Sequence, residues 1–244
     1  MQELKKHSKI TNIVLDLDST VINSIQSNEE KPNVKLPFYL MIDDDNPDEV
    51  YYIVYERPHL QKFLDYIFKF YNVGVWTAAS KDYAIFIVEN ILLQNKPERK
   101  LEFLLFDYHV KISENMPNFK STKDLNLIWK NFNTFTDKNT IIVDDYSDVF
   151  MPQLGNAYPI PPFIVRDENA ESDTELLKLM RKLSSSSSLK HHDTATASLI
   201  TKETLIKAID KVQMDKMDED DDGGDYEDDG GDYGGDGELE QYNE

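Results

Sequence analysis

Leu15-Asp16-Leu17-Asp18-Ser19-Thr20 is the stretch on which the fold turns. It follows Ile13-Val14, so a short apolar run ends in two aspartates one residue apart. Side chains alternate along a strand, which sends Asp16 and Asp18 to one side and Leu17 to the other. Two carboxylates at the carboxyl end of a buried strand can hold a hard cation and leave one oxygen free to attack. The pattern predicts a strand over 13–17; on its own the aspartate pair allows a metal site, a cap or a plain surface pair, and the metal-site reading would mean magnesium-dependent chemistry on phosphate esters.

Downstream, 24–50 is polar, with Pro32, Pro37, Pro47 and the run Asp43-Asp44-Asp45. It predicts a long loop carrying a short hairpin around 38–42, with the β-rich run 51–55 as a pairing partner. Pro58 is expected at a first helical position. Leu60, Phe63, Leu64, Ile67, Phe68 and Tyr71 then recur at helical spacing. Val73-Gly74-Val75-Trp76 reads as a second buried strand ending at Thr77, followed by a helix over 81–94. A strand or extended segment is expected over 101–106, a short helix over 124–129 and a strand over 141–143 that ends at Asp144-Asp145. A last helix over 173–183 has an acidic start and a basic end, which suits its dipole. Strand alternating with helix is the pattern of a parallel α/β sheet. Such sheets bind ligands at the carboxyl ends of their strands. Three strands here end in polar groups: Asp16/Asp18, Thr77 and Asp144/Asp145.

Composition narrows the chemistry. The 244 residues include no cysteine, which removes thiol nucleophiles, zinc–thiolate sites and disulfides. Seven of the nine glycines lie between Gly223 and Gly237, so no phosphate-binding glycine loop can be built elsewhere. Residues 215–244 hold fifteen acidic residues and one lysine, or −14 of the net −20. The rest of the chain carries −6 and shows no basic face, so direct nucleic-acid binding is not expected. No apolar run is long enough for a membrane span, and residues 1–9 lack a signal-peptide core. An intracellular protein is the expectation, with nucleus and cytoplasm not distinguished. One domain is expected over 1–183. A serine-rich linker (184–197), a short amphipathic helix (198–216) and a disordered acidic tail (217–244) follow it.

The order DxDxT, strand-end Thr, Lys, strand-end Asp-Asp carries more than any one of its parts. The chain resembles the haloacid dehalogenase superfamily of phosphatases. Within it, the chain is similar to the RNA polymerase II C-terminal-domain (CTD) phosphatases, including the small CTD and NLI-interacting-factor-like phosphatases. The matching pieces are LDLDST (15–20), YERPHLQKFL (55–64), VWTAASKDYA (75–84), KDL (123–125), VDD (143–145), NAYPI (156–160) and SDTELLKLM (172–180). This resemblance implies a Rossmann-like parallel sheet with a small inserted β element. It implies that Asp16 is the nucleophile and forms an aspartyl-phosphate, and that Asp18 is the general acid and base. It also implies that Thr77 binds a phosphoryl oxygen and that Lys123 neutralises charge. Mg²⁺ would be held by Asp16, the Asp18 backbone carbonyl and the Asp144-Asp145 pair, with Asp145 the more direct ligand. The implied substrate is a phosphoserine or phosphothreonine protein or peptide, with the polymerase CTD as one candidate.

Some positions depart from the family. Ser19 stands where glutamate is usual, and Asn23 where histidine is usual. An arginine is usual near Asp107, and an acidic group there would repel a second phosphate. These departures and the acidic tail keep a second reading open: a catalytically weak scaffold that binds phosphoproteins and uses its tail to recruit a basic protein partner. A small-metabolite phosphatase is a third. His59 is expected to be structural, Arg57 to anchor its turn and Trp76 to lie in the core.

Overall fold

The computed structural model describes residues 10–43 and 46–186. The expected linker beyond Ser186, the 198–216 helix and the acidic tail lie outside them.

Five parallel strands form the main sheet: β1 (Asn12–Leu15), β5 (Asn72–Trp76), β6 (Leu101–Leu105), β7 (Thr140–Asp144) and β8 (Ala157–Pro159). Their spatial order is β6-β5-β1-β7-β8. Alternation along the strands divides the core into two layers. Ile13, Leu15, Val73, Val75, Ile141 and Val143 pack against helices α1 (Leu60–Phe70), α2 (Lys81–Ile87) and α6 (Glu175–Ser186). Val14, Trp76, Phe103, Leu105 and Ile142 pack on the other face. There they meet Ile112 of α3 (Asp107–Glu114), Leu125 and Ile128 of α4 (Leu125–Asn131), and Val149 of α5 (Ser147–Phe150). The α1 stripe Phe63, Leu64 and Ile67 is wholly buried, and each such side chain contributes about 1.5–3 kcal/mol.

The inserted β element is larger than a hairpin. β2 (Ile22–Gln26), β3 (Phe38–Ile42) and β4 (Val50–Glu56) form an antiparallel sheet in the order β2-β4-β3. The long loop expected from residue 24 is therefore shorter, because β2 precedes it. Tyr39, Met41 and Tyr52 lean on the main core, while Ile25, Ile53 and Tyr55 build a satellite core with Phe163 and Val165.

Three local expectations change. β1 ends at Leu15, so Asp16 and Asp18 sit in the loop after the strand. α1 starts at Leu60, with His59 in the left-handed region (φ 69°), so Pro58 belongs to the turn and not to the first helical position. The helix from Lys81 continues after Ile87 as a π-helical segment, Val88–Leu93, and α3 was not anticipated.

Candidate active site

β1 lies between β5 and β7, and their registers align Leu15 with Val75 and with Val143. The residues that leave these strands must therefore stand side by side. Asp16, Thr77 and the Asp144-Asp145 pair occupy one sheet edge for that reason, and the Asp16 N–H donates to the Val143 carbonyl (3.1 Å). After Asp16 the chain curls tightly. The Leu17 carbonyl accepts the N–H groups of Thr20, Val21 and Ile22, and Ser19 takes φ 56°.

Lys123 closes the edge. Its Nζ donates to Asp16 Oδ1 (2.5 Å) and to Asp144 Oδ2 (2.8 Å), and all three groups are buried. The turn before α4 places it there. Ser121 Oγ accepts the Lys123 N–H, and Gln153 Nε2 donates to the Lys123 carbonyl (2.9 Å). Burial works against the lysine charge, but the Asp16 and Asp144 carboxylates outweigh it and hold the ammonium pKa above its usual value. Asp144 is pushed up to about 7 by burial and by the charge of Asp16, with Lys123 opposing. Burial and Asp16 raise Asp145 as well.

Asp18 is separate. Its Oδ1 accepts the Tyr83 hydroxyl (2.7 Å). Burial raises its pKa to about 6, against the Tyr83 hydrogen bond, and the Asp16 charge adds to the rise. Thr77 is buried; its Oγ1 accepts the Ala79 N–H (3.1 Å), so its proton remains to be donated.

Asp16, Asp144 and Asp145 each offer a carboxylate oxygen, all within 4.8 Å of one another. Among the described residues Lys123 is the ammonium bonded to this group. One ammonium against three carboxylates leaves the group acidic, and the donors are all oxygen. That set fits a hard divalent cation of the Mg²⁺ type.

Two contributors were not anticipated. Thr20 Oγ1 lies 3.2 Å from Asp16 Oδ2 and 3.1 Å from Asp145 Oδ1, and its single proton can serve either carboxylate. Tyr83, on α2, donates its hydroxyl to Asp18. The fourth residue of DxDxT and the tyrosine of ASKDYA were the available signals. Arg57 does anchor its turn: its guanidinium donates to both Asp173 oxygens (3.0 and 2.8 Å), the Thr20 carbonyl (2.9 Å) and the Pro161 carbonyl (2.9 Å). Among the family departures, Asn23 is held by its side chain, whereas Ser19 and Asp107 make backbone contacts that any residue could make. Asn23 Oδ1 accepts the Val165 N–H (3.0 Å), and the Ser19 carbonyl accepts the Phe163 N–H. Asp107 sits at the start of α3, where its N–H donates to the Ala79 carbonyl.

The family profile of NLI interacting factor-like phosphatases matches residues 11–195. A CTD phosphatase-like protein of Invertebrate iridescent virus 6 is 37% identical over 171 residues, covering 69% of this chain and 94% of the viral protein. Its counterpart in Invertebrate iridescent virus 3 is 38% identical over 181 residues, with 70% and 94% covered. Human ubiquitin-like domain-containing CTD phosphatase 1 is 30% identical over 130 residues, covering 52% of this chain and 41% of that protein. Among solved structures, fission yeast RNA polymerase II CTD phosphatase Fcp1 bound to beryllium fluoride aligns with a TM-score of 0.45 and 16% identity, over 87% of this chain and 65% of that one. The profile match over most of the chain makes the protein a member of the NLI interacting factor-like phosphatase family.

Proposed function

We propose that the chain is a Mg²⁺-dependent phosphoserine/phosphothreonine protein phosphatase that works through an aspartyl-phosphate on Asp16. The observation that carries this is the Lys123 bridge between Asp16 and Asp144. It fixes the Asp16 side chain at the edge where Asp18, Thr77 and Asp145 also stand.

An Asp16 carboxylate oxygen attacks phosphorus, and the ester P–O bond breaks. Asp18 gives its proton to the leaving seryl or threonyl oxygen; its raised pKa keeps the acid form accessible near neutrality. Thr77 donates its hydroxyl proton to a phosphoryl oxygen, and Lys123 offsets charge on the nucleophile. In the second half, the Asp18 carboxylate takes a proton from water as that water attacks phosphorus. The Asp16–phosphorus bond breaks and inorganic phosphate leaves. Asp16, Asp145 and the Asp18 carbonyl would hold Mg²⁺, which would lower the repulsion between carboxylate and phosphate when bound. Asp145 suits direct ligation better than Asp144. Asp144 already spends Oδ2 on Lys123 and Oδ1 on the Tyr146 N–H.

A groove of about 830 Å³ runs from Asp18 past Tyr83, Ser80, Asp82, Met41, Tyr52 and Gln26. Its open, mixed lining supports an extended phosphopeptide as substrate over a small metabolite. Asp82 and Glu49 on its walls favour basic residues beside the phosphorylated one. The polymerase CTD is one candidate substrate, because the relatives carry that activity in their names. The purified full chain should hydrolyse a phosphoserine peptide with Mg²⁺, stop on chelation, and recover on re-addition. Equal turnover with and without Mg²⁺ would rule this reading out.

A further inference from the structure

The groove that opens at Asp18 has two walls. One is the face of the inserted sheet that carries Ser24 and Gln26 of β2 and Val50 and Tyr52 of β4; the other is the start of α2. The walls meet at Tyr83. Its ring packs edge-on against Tyr52, with centroids 5.4 Å apart, and its hydroxyl reaches Ser24 and Asp18. That contact marks the catalytic end, and strand register sets the rest. Ser24 pairs with Val54, Gln26 with Tyr52, and Met41 meets Tyr52 from the opposite strand. The groove therefore follows β4 from the level of Val54 to Glu49. Five residues of strand cover about 17 Å.

The charges along it are one-sided. Asp82 and Glu49 line the groove, and no lysine or arginine does. Lys81 adjoins Asp82 in sequence but is not on the wall. Both carboxylates are exposed, and neither makes an ion pair among the described residues; Glu49 accepts the Asn46 amide at 3.5 Å. They stand at different depths. Asp82 precedes Tyr83 on α2, at the catalytic end, and Glu49 precedes β4, at the far end. Between them, Met41 and Tyr52 offer an apolar floor for long side-chain stems.

Resting on the phosphatase reading, we infer that the groove reads two basic residues on the same side of the phosphorylated one. Asp82 takes a residue within about two positions of it, and Glu49 one about four or five positions away, since an extended peptide advances about 3.4 Å per residue. A second phosphate at either position would face a carboxylate. Singly phosphorylated basic segments are therefore the substrate class, and multiply phosphorylated ones are disfavoured. The phosphoryl groups removed are those placed by a kinase that selects basic neighbours.

Phosphoserine peptides with alanine flanks test this in the purified full chain with Mg²⁺, each carrying one arginine at a scanned position on either side. kcat/KM should peak at one near and one far position on a single side, each by about three- to fivefold, the size of an exposed ion pair. A second phosphoserine at either position should lower it, and high salt should flatten both peaks. Asp82→Asn should erase the near peak and Glu49→Gln the far one. Each is read as the ratio of arginine to alanine peptide within that variant, so a loss common to both peptides cancels. Anisotropy of the same peptides in chelator gives the ratios without turnover. A chain that hydrolyses no peptide but keeps these binding ratios defeats the phosphatase reading and upholds the groove. Equal kcat/KM and equal affinity across the series, peaks on opposite sides of the phosphoserine, or a preference untouched by both substitutions overturns the inference.

Discussion

Lys123→Met should damage stability and turnover together, for one physical reason. The lysine is the cation bonded to Asp16 and Asp144, which are 5% and 0% exposed. Its two charge-assisted hydrogen bonds are worth about 1.5–3 kcal/mol each. Removing one partner from a buried ionic group typically costs about 3–5 kcal/mol, because the remaining charges stay desolvated and uncompensated. Methionine keeps most of the aliphatic volume, so little of this is a cavity effect. The expected loss is about 3–5 kcal/mol by urea unfolding in a chelator. A smaller loss is expected in Mg²⁺, where a cation at the carboxylates would replace part of the missing charge. Turnover in saturating Mg²⁺ should fall by on the order of 10²–10³-fold. A stability loss below about 1 kcal/mol, the size of an exposed ion pair, would refute the reasoning. So would turnover within roughly tenfold of wild type, well short of the loss expected for a charge-stabilising group.

Tyr83→Phe removes the donor to Asp18 and should lower kcat by about tenfold with KM little changed, since a hydrogen bond to a charged group is worth about 1.5–3 kcal/mol. Steady-state kinetics on a phosphopeptide check this; a rise in KM alone contradicts it. Gly74→Ala places a Cβ 2.2 Å from the Phe103 ring across the strand pair, so urea unfolding should show a loss of about 1–3 kcal/mol from overpacking. His109 supplies the pH dependence. It is buried, its Nδ1 accepts the Phe106 N–H (3.1 Å), and burial lowers its pKa from 6.5 to about 4. The unfolded chain binds this proton first as pH falls. Stability is therefore complete above about 6.5 and drops by about 3 kcal/mol on the way to pH 4. Urea midpoints for wild type and His109→Asn should diverge in slope over that window; parallel slopes would exclude the effect.

The main sheet was legible because its strands are apolar runs that stop at polar residues, as Val143 stops at Asp144. The site was legible for the same reason: parallel strands deliver their ends to one edge, so Asp16, Thr77 and Asp144 could be joined without knowing distances. β2 escaped because Asn23, Ser24 and Gln26 dilute its pattern; tertiary pairing with β4 makes it a strand. α3 escaped because Asp107, His109, Lys111 and Glu114 leave little apolar periodicity in eight residues. The Pro58 expectation failed because a proline at a helix start and a proline in a turn look alike. The left-handed backbone of His59, with Arg57 drawn inward to Asp173, is a tertiary outcome. Thr20 and Tyr83 act through side-chain contacts, Thr20 to residues 4 and 125 positions away and Tyr83 to one 65 positions away, which periodicity does not reveal.

The central claim is that Asp16 carries the phosphoryl group. Acid quenching during turnover, followed by borohydride reduction and peptide mass spectrometry, reads this directly, because an acyl phosphate is reduced to an alcohol and a free carboxylate is not. Reduction should appear at Asp16 only when substrate and Mg²⁺ are both present, and Asp16→Asn should show neither reduction nor turnover. Reduction at another carboxylate, or turnover that survives in Asp16→Asn, would contradict the account.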